Sequence, residues 1–249
     1  MNYRMLFGNV ATFVLCALVT SRVAAGDVEI CEGQDLPGRI AACTRLIESG
    51  TGLKKGLSRA HNNRGMGFVI LRQVDRAIND FDKAIQLDPN FEMPYFNRGY
   101  AHVFEMRFDR AEVDFESAMK VKPNWEAPYI GRAVVHFMRG SSDAAIADLT
   151  SAISINPSSA EAYVNRGVVY RTKGRIAEAI SDFKMTLKID PFHEGAQRQM
   201  RELSIDPGPV LQHPSVPGSH TNYGVEISKL TGARSHSYAL PNRYLQFRQ

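Results

Sequence analysis

Four prolines, Pro89, Pro123, Pro157 and Pro191, stand 34 residues apart, and the stretch they punctuate is one motif written four times over residues 58–193 without an insertion. In register with them run Arg64, Arg98, Arg132 and Arg166, then Gly65, Gly99, Ala133 and Gly167. Further along come Ala77, Ala111, Ala145 and Ala179, then Phe81, Phe115, Leu149 and Phe183, then Ala84, Ala118, Ala152 and Thr186. A fixed period of this size marks a solenoid, in which each unit buries its apolar face only against its neighbours. Between successive prolines lie two stretches, such as 161–172 and 176–189, with apolar residues every three or four positions. Each unit therefore reads as a pair of helices. The small columns allow close approach of two backbones, and the aromatic column fills the space between them. Each proline is expected to end the second helix by refusing its hydrogen bond. Asp75, Asp109 and Asp143 stand where that helix starts and are expected as N-caps; the fourth repeat has Ala177 there.

These columns, together with His61, Tyr95, Tyr129 and Tyr163, resemble the tetratricopeptide repeat family over 136 residues. The resemblance implies an all-α, right-handed superhelical solenoid of helix-turn-helix repeats that binds peptides or proteins. It also implies that the first helix of each repeat lines a concave groove. Carried over by position, that lining includes Met66, Val69, Phe96, Tyr100, Val103, Phe104, Ile130, Val134, Phe137, Met138, Val168 and Arg171. This face is mostly apolar, and a large apolar face on a soluble chain usually marks an interaction site. Heat-shock co-chaperones of the family clamp a carboxylate with Lys, Arg and Asn. This chain offers Asn97, but Met66, Ala127 and Gly131 occupy other clamp positions, which argues against that ligand.

One more column departs from the family. Asp80, Asp114, Asp148 and Asp182 recur in phase with the four arginines, which stand where most relatives carry an apolar residue. A buried unpaired charge is costly, so each arginine is expected to pair with an aspartate of its own or an adjacent repeat. His102 and His136 also lie 34 apart, but Phe68 and Tyr170 fill the same column. That makes it a packing position rather than a metal site. No cofactor is expected.

The flanks are different. Residues 1–25 read as a cleaved signal peptide: Arg4, an apolar run over 6–19, then Val23-Ala24-Ala25. The run is shorter than the ~20 residues of a spanning helix, although retention as an anchor stays open. Residues 26–57 read as an N-terminal cap containing a half-repeat, with Cys43 in the position of the large apolar residue. The pair Cys31 and Cys43 reads as a disulfide in an exported chain. Signal, cysteine-bearing half-repeat and Asn-Arg-Gly repeats together resemble secreted tetratricopeptide proteins of alphaproteobacteria. Residues 194–205 read as a capping helix and 206–249 as a disordered tail. The formal charge of +4 falls to +2 once Arg4 and Arg22 leave with residues 1–25; residues 207–249 carry +3 (Lys229, Arg234, Arg243 and Arg248 against Glu226), which leaves −1 on residues 26–206, so no basic stripe marks a nucleic-acid reader.

No phosphate-binding glycine loop, serine elbow or metal-spaced histidine cluster is present, so the chain does not read as an enzyme. The expected role is a non-catalytic scaffold or adaptor, periplasmic or secreted, for a protein or peptide partner. The alternative is a regulatory or substrate-recruiting subunit of an envelope enzyme such as a cell-wall hydrolase or protease. A partner's segment, a second copy of the chain or its own tail could fill the groove.

Overall fold

The computed structural model describes residues 26–33, 36–50 and 52–203. The expected signal peptide, the tail and the last residues of the expected capping helix lie outside them. All regular structure in the described residues is helical. Residues 26–32 form α1, followed by α2 (Leu36–Ser49), α3 (Lys54–Ile70) and α4 (Val74–Leu87). Then come α5 (Glu92–Phe104), α6 (Phe108–Val121), α7 (Ala127–Met138) and α8 (Ser142–Ile155). The chain ends its described course with α9 (Ala160–Thr172), α10 (Ile176–Ile189) and α11 (Glu194–Glu202). The helices pair as all-α repeats: α3–α4, α5–α6, α7–α8 and α9–α10. They fall into two compact units that divide between Pro94 and Tyr95.

Two boundaries differ from the sequence reading. The first helix of the first repeat begins at Lys54, inside the stretch 26–57 assigned to the cap. The N-terminal cap is a helix pair, α1 and α2, rather than a half-repeat.

The two kinds of turn explain the repeat length. Between the first and second helix the chain turns through a left-handed residue: Arg72 (φ 58°), Met106 (φ 56°), Gly140 (φ 79°) and Gly174 (φ 76°). The N–H of the next residue closes back onto the helix: Gln73 to Phe68, Arg107 to His102, Ser141 to His136 and Arg175 to Tyr170. This is the Schellman closure, which glycine adopts without a Cβ penalty. Repeats one and two carry side chains there instead. After the second helix, proline acts through the residue before it. Asp88, Lys122, Asn156 and Asp190 are driven to extended backbone, with φ between −142° and −128°. Asp88, Asn156 and Asp190 then accept the N–H two residues on, fixing the turn.

The expected aspartate caps are corrected. Gln73, Arg107 and Ser141 occupy the cap positions, and none caps through its side chain. Asp75, Asp109 and Asp143 lie inside the first turn, where a negative charge suits the helix dipole. In α10 Glu178 supplies that charge.

The core of each repeat is a large side chain against a small one. A Cβ on Gly65 would lie 2.7 Å from the Phe81 ring, and one on Gly167 would lie 2.6 Å from Phe183. Phe115 is held between Gly99 and Gly131, at 2.8 and 2.6 Å by the same measure. The third repeat carries Ala133 and Leu149 together, both fully buried. At the C-terminal end α11 lays Ala196 and Met200 on Val164, Val168 and Phe183.

Candidate functional site

Each arginine of the repeat column forks onto the aspartate of its own second helix. Arg64 gives Nε and Nη2 to Asp80, both at 2.8 Å. Arg98 does so to Asp114 at 2.9 and 2.6 Å, Arg132 to Asp148 at 2.9 and 2.8 Å, and Arg166 to Asp182 at 2.8 and 2.9 Å. All four aspartates are buried and all four arginines are half-buried. The remaining nitrogen of the fork reaches backwards. Arg132 Nη1 donates to Glu116 at 3.2 Å and Arg166 Nη1 to Thr150 at 3.1 Å, each on the second helix of the preceding repeat. Arg64 Nη1 does the same to Thr44 on α2, at 3.2 Å. One side chain thus closes its own helix pair and ties it to the pair before. Planar, bidentate geometry is what guanidinium supplies and ammonium does not.

Burial would raise the Asp80 carboxyl, but the hydrogen bonds from Arg64 and His61 outweigh it and hold the group below the usual aspartate value. The hydrogen bonds that Arg132 donates to Asp148 and Arg166 to Asp182 likewise raise both guanidiniums above their ordinary value, despite burial.

Histidine is a third member that the sequence reading missed. His61 Nδ1 lies 2.8 Å from Asp80, His102 Nε2 lies 3.8 Å from Asp114, and His136 Nε2 lies 3.5 Å from Asp148. The signal was present as an exchange between two columns. Repeat one has histidine three residues before its arginine; repeats two and three have it four residues after. Both positions face the same carboxylate across one turn of helix. Where the later position is aromatic, arginines cover the ring instead. Arg76 lies 3.9 Å over Phe68, and Arg175 lies 4.4 Å over Tyr170.

The residues assigned to the groove divide. Val69, Phe96, Val103, Ile130 and Val168 are buried, so they belong to the core rather than to an open face. Phe96 packs its ring 4.7 Å from Trp125 and 4.9 Å from Tyr100, and Tyr100 lies 5.2 Å from Phe115. Met66, Tyr100, Phe104, Val134, Phe137 and Met138 keep partial exposure. Of these, Val134 and Phe137 also pack against the buried clusters. Arg171 is committed elsewhere: its Nη1 donates to Gln199 and Glu202 of α11, so it anchors the cap. Gly131 replaces the asparagine of its column because the Phe115 ring fills that space.

Residues 58–91 and 160–193 match the family model for the tetratricopeptide repeat, and residues 133–174 match a second model of the same repeat. This is a tetratricopeptide-repeat protein. Several solved structures share its fold. TTC0263 of Thermus thermophilus is 17% identical with a TM-score of 0.58, covering 67% of this chain and 89% of that one. MamA is 23% identical with a TM-score of 0.54, covering 63% and 90%. YrrB, a tetratricopeptide protein with an unusual peptide-binding site, is 19% identical with a TM-score of 0.52, covering 67% and 84%. No curated protein matches the sequence.

Both ends of the tetratricopeptide array depart from its rules. At the N-terminus Cys31 and Cys43 are bonded, joining α1 to α2 beside Ala42 and Ala60. At the C-terminus Met200 of α11 stands in the arginine column, and Lys184 of α10 stands in the column of Glu116 and Thr150. Staple and acceptor are thus both replaced after the fourth repeat. Among the described residues no group of three His, Cys, Asp or Glu could hold a metal ion. No described helix is long and apolar enough to cross a membrane.

Proposed function

We propose that this chain is a non-catalytic scaffold that holds a protein or peptide segment against the first helices of its second unit. The observation that carries this is the partial exposure of Tyr100, Phe104, Val134, Phe137 and Met138 along α5 and α7. Tyr100 belongs to an aromatic cluster with Phe96, Phe115 and Trp125. Large aromatic and methionine side chains on a rigid base are the usual anchors of such surfaces. The likeness in fold to a peptide-binding tetratricopeptide protein supports the same reading.

The scaffold works in the periplasm or outside the cell. The sealed disulfide in the cap and the character of residues 1–25 support export, since such bonds persist in oxidising compartments.

Phe104 and Met138 are the positions to test, because both are large apolar side chains that are partly exposed on α5 and α7. Crosslinking in the native envelope, followed by quantitative pull-down, should yield a partner that the Phe104→Ala/Met138→Ala variant loses by roughly tenfold or more, the scale of anchor residues. Equal capture by both folded proteins would place the partner site elsewhere. A captured partner with hydrolase or protease activity would recast the scaffold as the recruiting subunit of that enzyme.

A further inference from the structure

The α1–α2 pair is held differently from the four repeats that follow it. Of residues 26–32, Gly26, Val28, Glu29, Ile30 and Glu32 are exposed; only Asp27 and Cys31, one turn apart, face inward. Besides a 4.0 Å ion pair between Glu32 and Arg59 at the surface, three described links hold this face. The first is the Cys31–Cys43 bond. The second is the ion pair between Asp27 and Arg45, whose side chain is 51% exposed. The third is the carbonyl of Cys31, which accepts the side-chain amide of Asn63 at 3.3 Å. The pair is bidentate, but its half-exposed guanidinium leaves it screened by water and salt. Of residues 26–32 only Asp27 and Cys31 are buried, so little apolar packing holds them. The covalent link is therefore the one that keeps α1 in place.

That link is closed to attack once made. Cys31 is 2% exposed and Cys43 is 0% exposed. A reductant's thiolate must reach a sulfur along the S–S axis, and access governs the rate. It reaches neither until α1 lifts away, and the bond itself stops α1 from lifting. In the reduced chain nothing covalent restrains α1, and both thiols can be reached.

We infer that α1 is a one-way oxidative latch: it docks on α2 and α3 only when Cys31 and Cys43 are oxidised, and docking covers Ala60 and occupies the amide of Asn63. Asn63 heads the column that continues as Asn97, Gly131 and Asn165, so the latch closes the first rung of the inner side of the repeats. The oxidant is a disulfide, either small or on a protein. One cysteine thiolate attacks it, forms a mixed disulfide and expels one thiolate. The second cysteine then displaces the other. Two protons and two electrons leave the chain and appear as the oxidant's two thiols. A chain that has not met such an oxidant shows an open first rung; a chain that has met one keeps it shut. This inference does not depend on the partner surface of the second unit.

The test is amide hydrogen exchange on the full chain in three forms: oxidised, reduced by dithiothreitol in denaturant and refolded under reductant, and Cys31→Ala/Cys43→Ala. Residues 26–32 should exchange about 100-fold faster in the last two forms, with α9 and α10 protected in all three. Protection of 26–32 in either bond-free form that keeps α9 and α10 protected overturns the latch. If the double variant does not fold, the reduced wild-type chain decides. Excess dithiothreitol should cleave the bond of the native chain at least about tenfold more slowly than that of the urea-unfolded chain. Equal rates would show that the bond is not sealed and that the latch works in both directions.

Discussion

Leu149 stands where the other three repeats have phenylalanine, and the residue facing it is Ala133 where the others have glycine. The two substitutions are one event in packing terms. A methyl group at Gly167 would sit 2.6 Å from the Phe183 ring, closer than carbon atoms approach. Gly167→Ala should therefore cost about 1–3 kcal/mol, the usual range for overpacking a core. Combining it with Phe183→Leu recreates the third repeat, so the double variant should be more stable than the sum of the two single effects. A double-mutant cycle by urea denaturation reads this directly, and strict additivity would refute it. At this scale the sequence was legible wherever a column was regular. Arg64, Arg98, Arg132 and Arg166 could be assigned partners because four aspartates kept step with them. The histidines escaped because their contact depends on a face of the helix rather than on one position. The groove residues were the least legible. Position in the repeat indicates which side of a helix a residue faces, but not how deeply its neighbours bury it. Phe96 and Val103 are sealed for that reason, whereas Phe104 stays half open.

At the scale of elements, the arginine staple sets how one helix pair sits on another. Asp148 is buried beneath Arg132, so Asp148→Ala leaves a half-buried guanidinium without its main partner. The expected loss is about 3–5 kcal/mol, the cost of orphaning one member of a buried pair. Replacing both residues with leucine should recover much of it. If the double replacement is as damaging as the single one, the pair is a net source of stability rather than a device for register. The Asp80 carboxyl, held below its usual value, contributes stability that is present above the ordinary aspartate value of about 3.9 and lost as pH falls through the lowered one.

His193 works with the opposite chemistry. Its ring Nδ1 accepts the N–H of Ala196 and so caps α11, and burial pushes its pKa below the usual value. The cap needs the neutral ring. Its contribution is complete above the ordinary histidine value of about 6.5 and shrinks as pH falls through it, because the unfolded chain then takes up the proton first. Protection factors in α11, corrected for the intrinsic exchange rate at each pH, should fall from pH 8 to pH 5. His193→Ser, a cap that does not titrate in this range, should remove most of that dependence; an unchanged profile would locate the titrating group elsewhere.

For the whole molecule, the helix pairs were legible in advance because a 34-residue period leaves few alternatives. The ends were not, because capping elements obey no column. α1 was missed as a helix, and α2 was taken for half a repeat. The C-terminal cap shows how local the stability is. Met200 is 1% exposed and closes the core around Val164, Val168 and Phe183. Met200→Ala should cost about 2–5 kcal/mol. In a chain stabilised through nearest neighbours, exchange should rise most in α9 to α11 and least in α5 and α6 of the same unit. A uniform rise across the unit would mean that its repeats unfold as one.

The backward reach of the arginine staple also bears on how such a chain can lengthen. The third repeat carries both halves of the link: Arg132 donates to the repeat before it, and Thr150 accepts from the repeat after it. A duplicate of residues 126–159, inserted after residue 159, would bring Arg132 to the Thr150 already in place, and would offer its own Thr150 to Arg166. The middle of the array is thus open to growth by whole units. Lys184 and Met200 make its far end a full stop.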